Sequence, residues 1–232
     1  MKEITMVATD YQTTSPGRVW RGQLAANRLR YPSEPVVRWL ARIRPSLPAD
    51  AAAIEMGFGS GRHLQLLLDQ GLQAWGTELL EDAMALGDEI LGAGSRAGRV
   101  VLGPLDHPDL PRSAFDVFLT WGTLFLMPPD AMKRTLGDAA RLLKPGGHAL
   151  FNLRTQDNWF AGLGAEGPAG HWLLDDRAGP YAGSAYTFLD HGAIAPLLDG
   201  TGLRVHGVER MDWWQGPQMQ RHSWWIVHAI RD

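Results

Sequence analysis

The sequence contains no cysteine, which excludes disulfides, zinc–thiolate sites, iron–sulfur clusters and any mechanism that uses a thiol of this chain. It has no apolar run near the roughly 18 residues of a membrane span. The stretch Met1–Met6 lacks the apolar core of a secretory signal. Low-complexity tracts and internal repeats are also missing. Lysine is scarce, 3 residues against 19 arginines, and alanine and glycine are plentiful, a bias that hints at a high-GC bacterial gene. No basic tract dominates and the net charge is −3, which disfavours nucleic acid as a partner. The 8 histidines show no metal-ligand spacing, so no metal is expected. What remains is a chain of 232 residues that is 45% hydrophobic, enough for one large domain or a domain with a lid. A cytoplasmic globular protein, monomeric or homodimeric and without membrane contact, is the expectation.

Charge is unevenly placed. Residues 1–44 hold 8 basic side chains against 3 acidic ones. Such a segment either meets an anionic group or forms a solvated helix face with structural ion pairs. Up to Pro32 the pattern is irregular and polar, with Ser15-Pro16-Gly17 read as a turn. Ser33 then stands as an N-cap before Glu34 and Pro35, and Val36, Trp39, Leu40 and Ile43 form one helical stripe.

After Pro48, strands and helices alternate. Strands are expected at 51–56, 72–78, 99–102, 115–119 and 148–152, with helices between them. Two more follow at 203–209 and 224–230, with no helix between, as a hairpin closing a sheet edge. This predicts an α/β, Rossmann-like fold: a seven-stranded, mostly parallel sheet with helices on both faces, the last strand antiparallel, and an N-terminal helical cap. Residues 1–48 are assigned to the cap or lid and 49–232 to the main domain. Residues 154–186 are glycine-rich and aperiodic, and read as a loop insertion on the substrate side.

The strongest local signal is Gly57-Phe58-Gly59-Ser60-Gly61, directly after a strand and before a helix, where glycines let the backbone turn and a ligand approach closely. A dinucleotide fingerprint would place its third glycine at 62, but that residue is Arg62. Glu55, two residues before the loop, is expected to face the ligand crevice, where it suits an ammonium better than a pyrophosphate. Glu78 ends the second strand, where an acid can accept both ribose hydroxyls, and Leu79 would wall the adenine. Asp106, after the third strand, can accept from an exocyclic adenine amine. Trp121 and Phe125, after the fourth, would flank the ligand.

In this order the signals resemble the class I S-adenosylmethionine-dependent methyltransferases. That family's acidic residue and Gly-x-Gly-x-Gly loop are matched by Glu55, Gly57, Gly59 and Gly61, and its ribose-binding acid by Glu78. Its adenine-contacting aspartate is matched by Asp106 ahead of Pro111, its Phe-Asp strand by Phe115-Asp116, and its Leu-Lys-Pro-Gly-Gly turn by Leu143 to Gly147. The resemblance covers about residues 51–232. The Tyr31-Pro32-Ser33-Glu34 helix start and Trp224-Trp225 resemble a small-molecule branch of the family. Phe58 replaces the cysteine or small residue common there, and residues 154–186 match no substrate motif.

The resemblance implies S-adenosylmethionine as cofactor, S-adenosylhomocysteine as product and a small-molecule acceptor with a nitrogen or oxygen nucleophile. Methyl transfer would proceed by in-line displacement, through alignment and desolvation rather than one indispensable residue. The cofactor would be held by Glu55, Gly57, Gly59, Gly61, Glu78, Leu79, Asp106, His107 and Trp121. Candidate acceptor contacts are Trp121, Phe125, Arg154 and Trp214, with Arg154 holding a carboxylate or phosphate or else pinning the loop by a salt bridge. His107, His171 and His222 are the candidates for a general base, and His63 reads as structural. Tyr11, Trp20 and Tyr31 are candidates to close over the cofactor. A non-catalytic cofactor-binding protein and a nicotinamide-dependent oxidoreductase stay open as alternatives.

Overall fold

The computed structural model describes residues 14–26, 28–92, 97–217 and 219–232. Tyr11 lies outside them. The chain divides into two compact units, Met1–Leu110 and Pro111–Asp232.

The first unit opens with helix α1 (Ser15–Ala26), where the sequence reads as irregular. Ser15-Pro16-Gly17 is not a turn but a first helical turn. Thr14 caps it, its hydroxyl accepting from the Gly17 N–H at 3.1 Å and its carbonyl from Arg18. The helix uses Trp20 and Leu24, four residues apart, to pack on a cluster of Phe58, Leu64, Leu80 and Ala83. Helix α2 (Glu34–Ile43) starts at Ser33 as its stripe requires, and Val36, Trp39, Leu40 and Ile43 are all buried. Burying each such side chain stabilises the fold by about 1.5–3 kcal/mol. Strands β1 (Ala52–Met56), β2 (Gln73–Glu78) and β3 (Ala97–Leu102) pair in parallel in the order β3-β2-β1. Helix α3 (Arg62–Asp69) follows β1 and helix α4 (Glu81–Gly92) follows β2, so the turn before each helix sits at a strand's carboxyl end.

Three of the eight basic side chains of the N-terminal segment form ion pairs within this unit. Arg21 reaches Asp82 at 2.8 Å and Arg28 reaches Glu89 at 3.9 Å, both acids of α4, and Arg38 faces Glu34 at 3.8 Å.

The second unit holds β4 (Phe115–Thr120), helix α5 (Pro129–Leu142), β5 (Leu143–Thr155), β6 (Gly164–Glu166), β7 (His171–Leu174), β8 (Ala185–Leu189), helix α6 (Ile194–Leu198), β9 (Leu203–Gln215) and β10 (Gln220–Arg231). β5 pairs in parallel with β4 and β8 and antiparallel with β10, and β9 pairs with β10 as the expected hairpin. Among the described residues, β9 has a single strand partner. Asp116 and Lys144 form an ion pair of 2.8 Å that ties the Phe-Asp strand to the Lys-Pro-Gly-Gly turn. That turn lies inside β5, with Gly146 at φ +77° and a register shift opposite it.

The described residues hold ten strands rather than seven. All seven expected strands are present, and the additions are β6, β7 and β8. The stretch read as loop carries the first two, which build an antiparallel ladder onto β8. Their runs of three to five residues between glycines leave no room for a visible period.

Candidate functional site

In the first unit the polypeptide leaves β1 through Gly57, Gly59 and Gly61, at φ +69°, +52° and +74°. Only glycine adopts three such left-handed positions cheaply. Space is open where a Cβ of residue 59 would stand, whereas one at residue 61 would collide with Ile90 Cδ1. Phe58 points inward, under Gly76 and Gly87, whose missing side chains make room for its ring.

Glu78 holds this loop from β2. Its Oε2 accepts from the Gly59 N–H at 2.9 Å, and its Oε1 accepts from Leu79 at 2.7 Å and Leu80 at 3.4 Å. Burial pushes its pKa up, and the backbone donors offset part of that. Glu55 is 1% exposed and turned to His63, with Oε1 to Nδ1 at 2.9 Å. Because His63 Nε2 accepts from the Ser33 N–H at 3.1 Å, the imidazole proton sits on Nδ1 and is donated to Glu55. Burial raises the Glu55 pKa, countered by His63, and its Oε2 is buried without a hydrogen-bond partner. The sequence reading had this carboxylate in a crevice; the structure shows it buried among its neighbours.

Sequence reasoning missed how residues 29–33 are stitched to the glycine loop. Ser60 Oγ donates to the Leu29 carbonyl at 2.6 Å, and Arg62 Nη1 to that of Tyr31 at 3.0 Å. The Tyr31 side chain itself is 83% exposed. Asp106 is exposed in the turn after β3. His107 lies against Gly103, and its Nδ1 accepts from the Asp109 N–H at 3.2 Å.

In the second unit, Trp121 is half-buried after β4, and the N–H of the next residue, Gly122, donates to Asn152 Oδ1 at 2.8 Å. Phe125 is buried, with Tyr186 and Trp224 edge-on at 5.2 and 5.1 Å. Arg154 is buried beside them. Trp214 is 52% exposed under Arg221, whereas its neighbour Trp213 is stacked on His222 at 5.3 Å. Period-two alternation allows one of the pair inward, and it is Trp213. His171 is fixed on β7. Its Nδ1 lies 2.8 Å from Thr187 Oγ1, which itself donates to the Met127 carbonyl at 2.7 Å. His222 is buried, with Nε2 unpartnered; burial and then the charge of Arg154 hold its pKa below the usual histidine range. Among the described residues no group of three or more His, Asp or Glu is arranged to hold a metal ion. No helix among them is long and apolar enough to cross a membrane.

Residues 53–147 match the family model described as a methyltransferase domain. Three solved structures are similar. One is a methyltransferase from Methanosarcina mazei, 17% identical, with a TM-score of 0.67 over 82% of this chain and 96% of that one. The second is the 1,6-didemethyltoxoflavin N1-methyltransferase of Burkholderia thailandensis, seen with 1,6-didemethyltoxoflavin and S-adenosylhomocysteine, at 19% and 0.67 over 100% and 93%. The third is a methyltransferase from Mesorhizobium loti, at 20% and 0.61 over 84% and 98%. No curated protein matches the sequence.

Residues 53–147 thus form a methyltransferase domain, and the fold that carries them is that of the class I S-adenosylmethionine-dependent methyltransferases.

Proposed function

We propose that the protein transfers a methyl group from S-adenosylmethionine to a nitrogen or oxygen of a small-molecule acceptor. The observation that carries this reading is the glycine loop, open above Gly59 and fastened by the Glu78 carboxylate. The residues present fit the cofactor. The open space at Gly59 admits close approach of its chain, and the orphaned Oε2 of Glu55 suits its ammonium, which would draw that carboxyl's pKa back down. Glu78 is proposed to accept from the ribose hydroxyls, with Leu79 beside the adenine and Asp106 accepting from its amine. The bound cofactor supplies an electrophilic methyl whose former bond electrons stay with sulfur.

The chain's own task is to orient, to exclude water and to take up a proton where the acceptor carries one. Orientation alone can supply about 7–11 kcal/mol. Of the three candidate histidines, His222 has a buried ring nitrogen, Nε2, without a partner, and burial lowers its pKa, so it is the one proposed to accept a proton. His171 is committed to Thr187 through Nδ1, and His107 is already an acceptor for the backbone of Asp109.

The test is calorimetric titration with S-adenosylhomocysteine and, separately, NADH. Micromolar binding of the first alone supports the reading. Binding of NADH instead would replace it with an oxidoreductase.

A further inference from the structure

The rings of the second unit gather around one cation. The guanidinium of Arg154 lies over Phe125, Phe160, Tyr186 and Trp224, at 4.5, 4.9, 4.3 and 4.3 Å from their centroids. Trp213 extends the cluster, stacked on Trp224 at 6.0 Å and on His222 at 5.3 Å. Arg154 is 5% exposed, and its Nη1 donates to Asn158 Oδ1 at 3.1 Å. No carboxylate of the described residues lies within ion-pair distance of it. Ring faces attract a guanidinium, and Arg154 stays charged at neutral pH although burial lowers its pKa to about 10. They accept no hydrogen bond as good as an oxygen's.

The cluster has a surplus of donors. Arg154 Nε, Trp224 Nε1 and the Tyr186 hydroxyl are all buried with no hydrogen-bond partner. The Tyr186 oxygen lies close enough to Arg154 to feel its charge and to serve it as a weak acceptor, but the hydroxyl proton of Tyr186 has no acceptor of its own. Buried polar groups are ordinarily satisfied, and a buried charge is ordinarily paired. One anion would supply the missing charge and the missing acceptors together. Arg154 is the single arginine or lysine in the cluster, so one negative charge balances it. With rings against the guanidinium faces, its in-plane N–H groups remain, and these match the flat fork of a carboxylate.

We infer that Arg154 anchors the carboxylate of a small planar carboxylic acid, with Trp224 Nε1 and the Tyr186 hydroxyl as further donors and the aromatic rings lining its flat body. That this acid is the methyl acceptor rests on the function proposed above; the anion site does not.

The experiment is calorimetry on the full chain with benzoate, its neutral isostere benzamide, and phenylphosphate, each with and without saturating S-adenosylhomocysteine. Benzoate should bind at least tenfold tighter than benzamide and tighter than phenylphosphate, and Arg154→Met should abolish that preference. Arg154→Lys, which keeps charge but not the fork, should recover it only in part. An arginine that merely packs would change the unfolding temperature of the variant and leave the benzoate-to-benzamide ratio alone. Equal binding of the two probes, preference for phenylphosphate, absence of benzoate binding, or an unchanged ratio in folded Arg154→Met each overturns the inference. Should Arg154→Met fail to fold, Trp224→Phe keeps a ring and deletes one donor. A several-fold loss of benzoate affinity then supports the site, and no change overturns it. S-adenosylhomocysteine that fails to bind while benzoate binds removes the methyl-transfer reading alone, and the reverse removes the anion site alone.

Discussion

Glu78 works in two directions with one carboxylate, fixing the glycine loop through Gly59 and the start of the next helix through Leu79 and Leu80. Glu78→Ala should therefore weaken S-adenosylhomocysteine binding by about 1–3 kcal/mol, the usual cost of losing a hydrogen bond to a charged group together with its neighbour's satisfaction. Titration calorimetry reads this directly, and unchanged affinity would remove Glu78 from the ribose site. Among single residues, what the sequence shows is the type and spacing of the acids, since glycines and a strand end surround them. Partners distant in sequence are hidden in it. Nothing local says that Glu55 turns to His63, or that Trp213 rather than Trp214 faces inward on a strand whose register is set by pairing with β10.

The glycine loop tests the element scale. Gly59→Ala and Gly61→Ala both place a side chain at positive φ, costing about 1–2 kcal/mol each. They should differ in function. An alanine at 59 enters open space and should impair cofactor binding more than stability, whereas one at 61 must displace the end of Ile90 and should impair stability more than binding. Thermal unfolding and calorimetry on both variants separate the two effects; the same ranking in both measurements would contradict the assignment. The elements legible in the sequence are those with a period or a stop: α2, with its stripe and its prolines, and the β9–β10 hairpin. Helix α1 is hidden because Pro16 and Gly17 resemble a turn, and only the Thr14 cap and the contacts of Trp20 and Leu24 reveal a helix start. β6, β7 and β8 take their order from one another rather than from their own sequence.

For the whole molecule, acid sensitivity follows from one buried histidine, His222, and two half-buried ones, His148 and His171. Burial lowers the pKa of His148, His171 and His222 from the ordinary 6.5. The unfolded chain then binds more protons than the folded one below about pH 6.5, so stability falls as pH falls through that range. Glu55 and Glu78, whose folded pKa values are raised from 4.5, act in the opposite sense and hold protons in the folded state where the unfolded chain has lost them. The unfolding temperature should decline between pH 7 and pH 5.5, and His222→Gln should flatten that decline; an equal slope in both proteins would show that His222 titrates freely.

The hairpin has one more consequence. β9 is 13 residues long, and β10 is its one strand partner among the described residues, so its far edge is a row of backbone donors and acceptors of the kind that templates fibrils. Along it stand Arg204, His206, Glu209, Arg210 and Asp212, with Arg210 held to Asp212 at 2.9 Å and to Asp157 at 2.5 Å. A second chain adding to this edge would have to strip water from those charges. The charges carried by the strand that closes one side of the second unit thus oppose the addition of a further strand there.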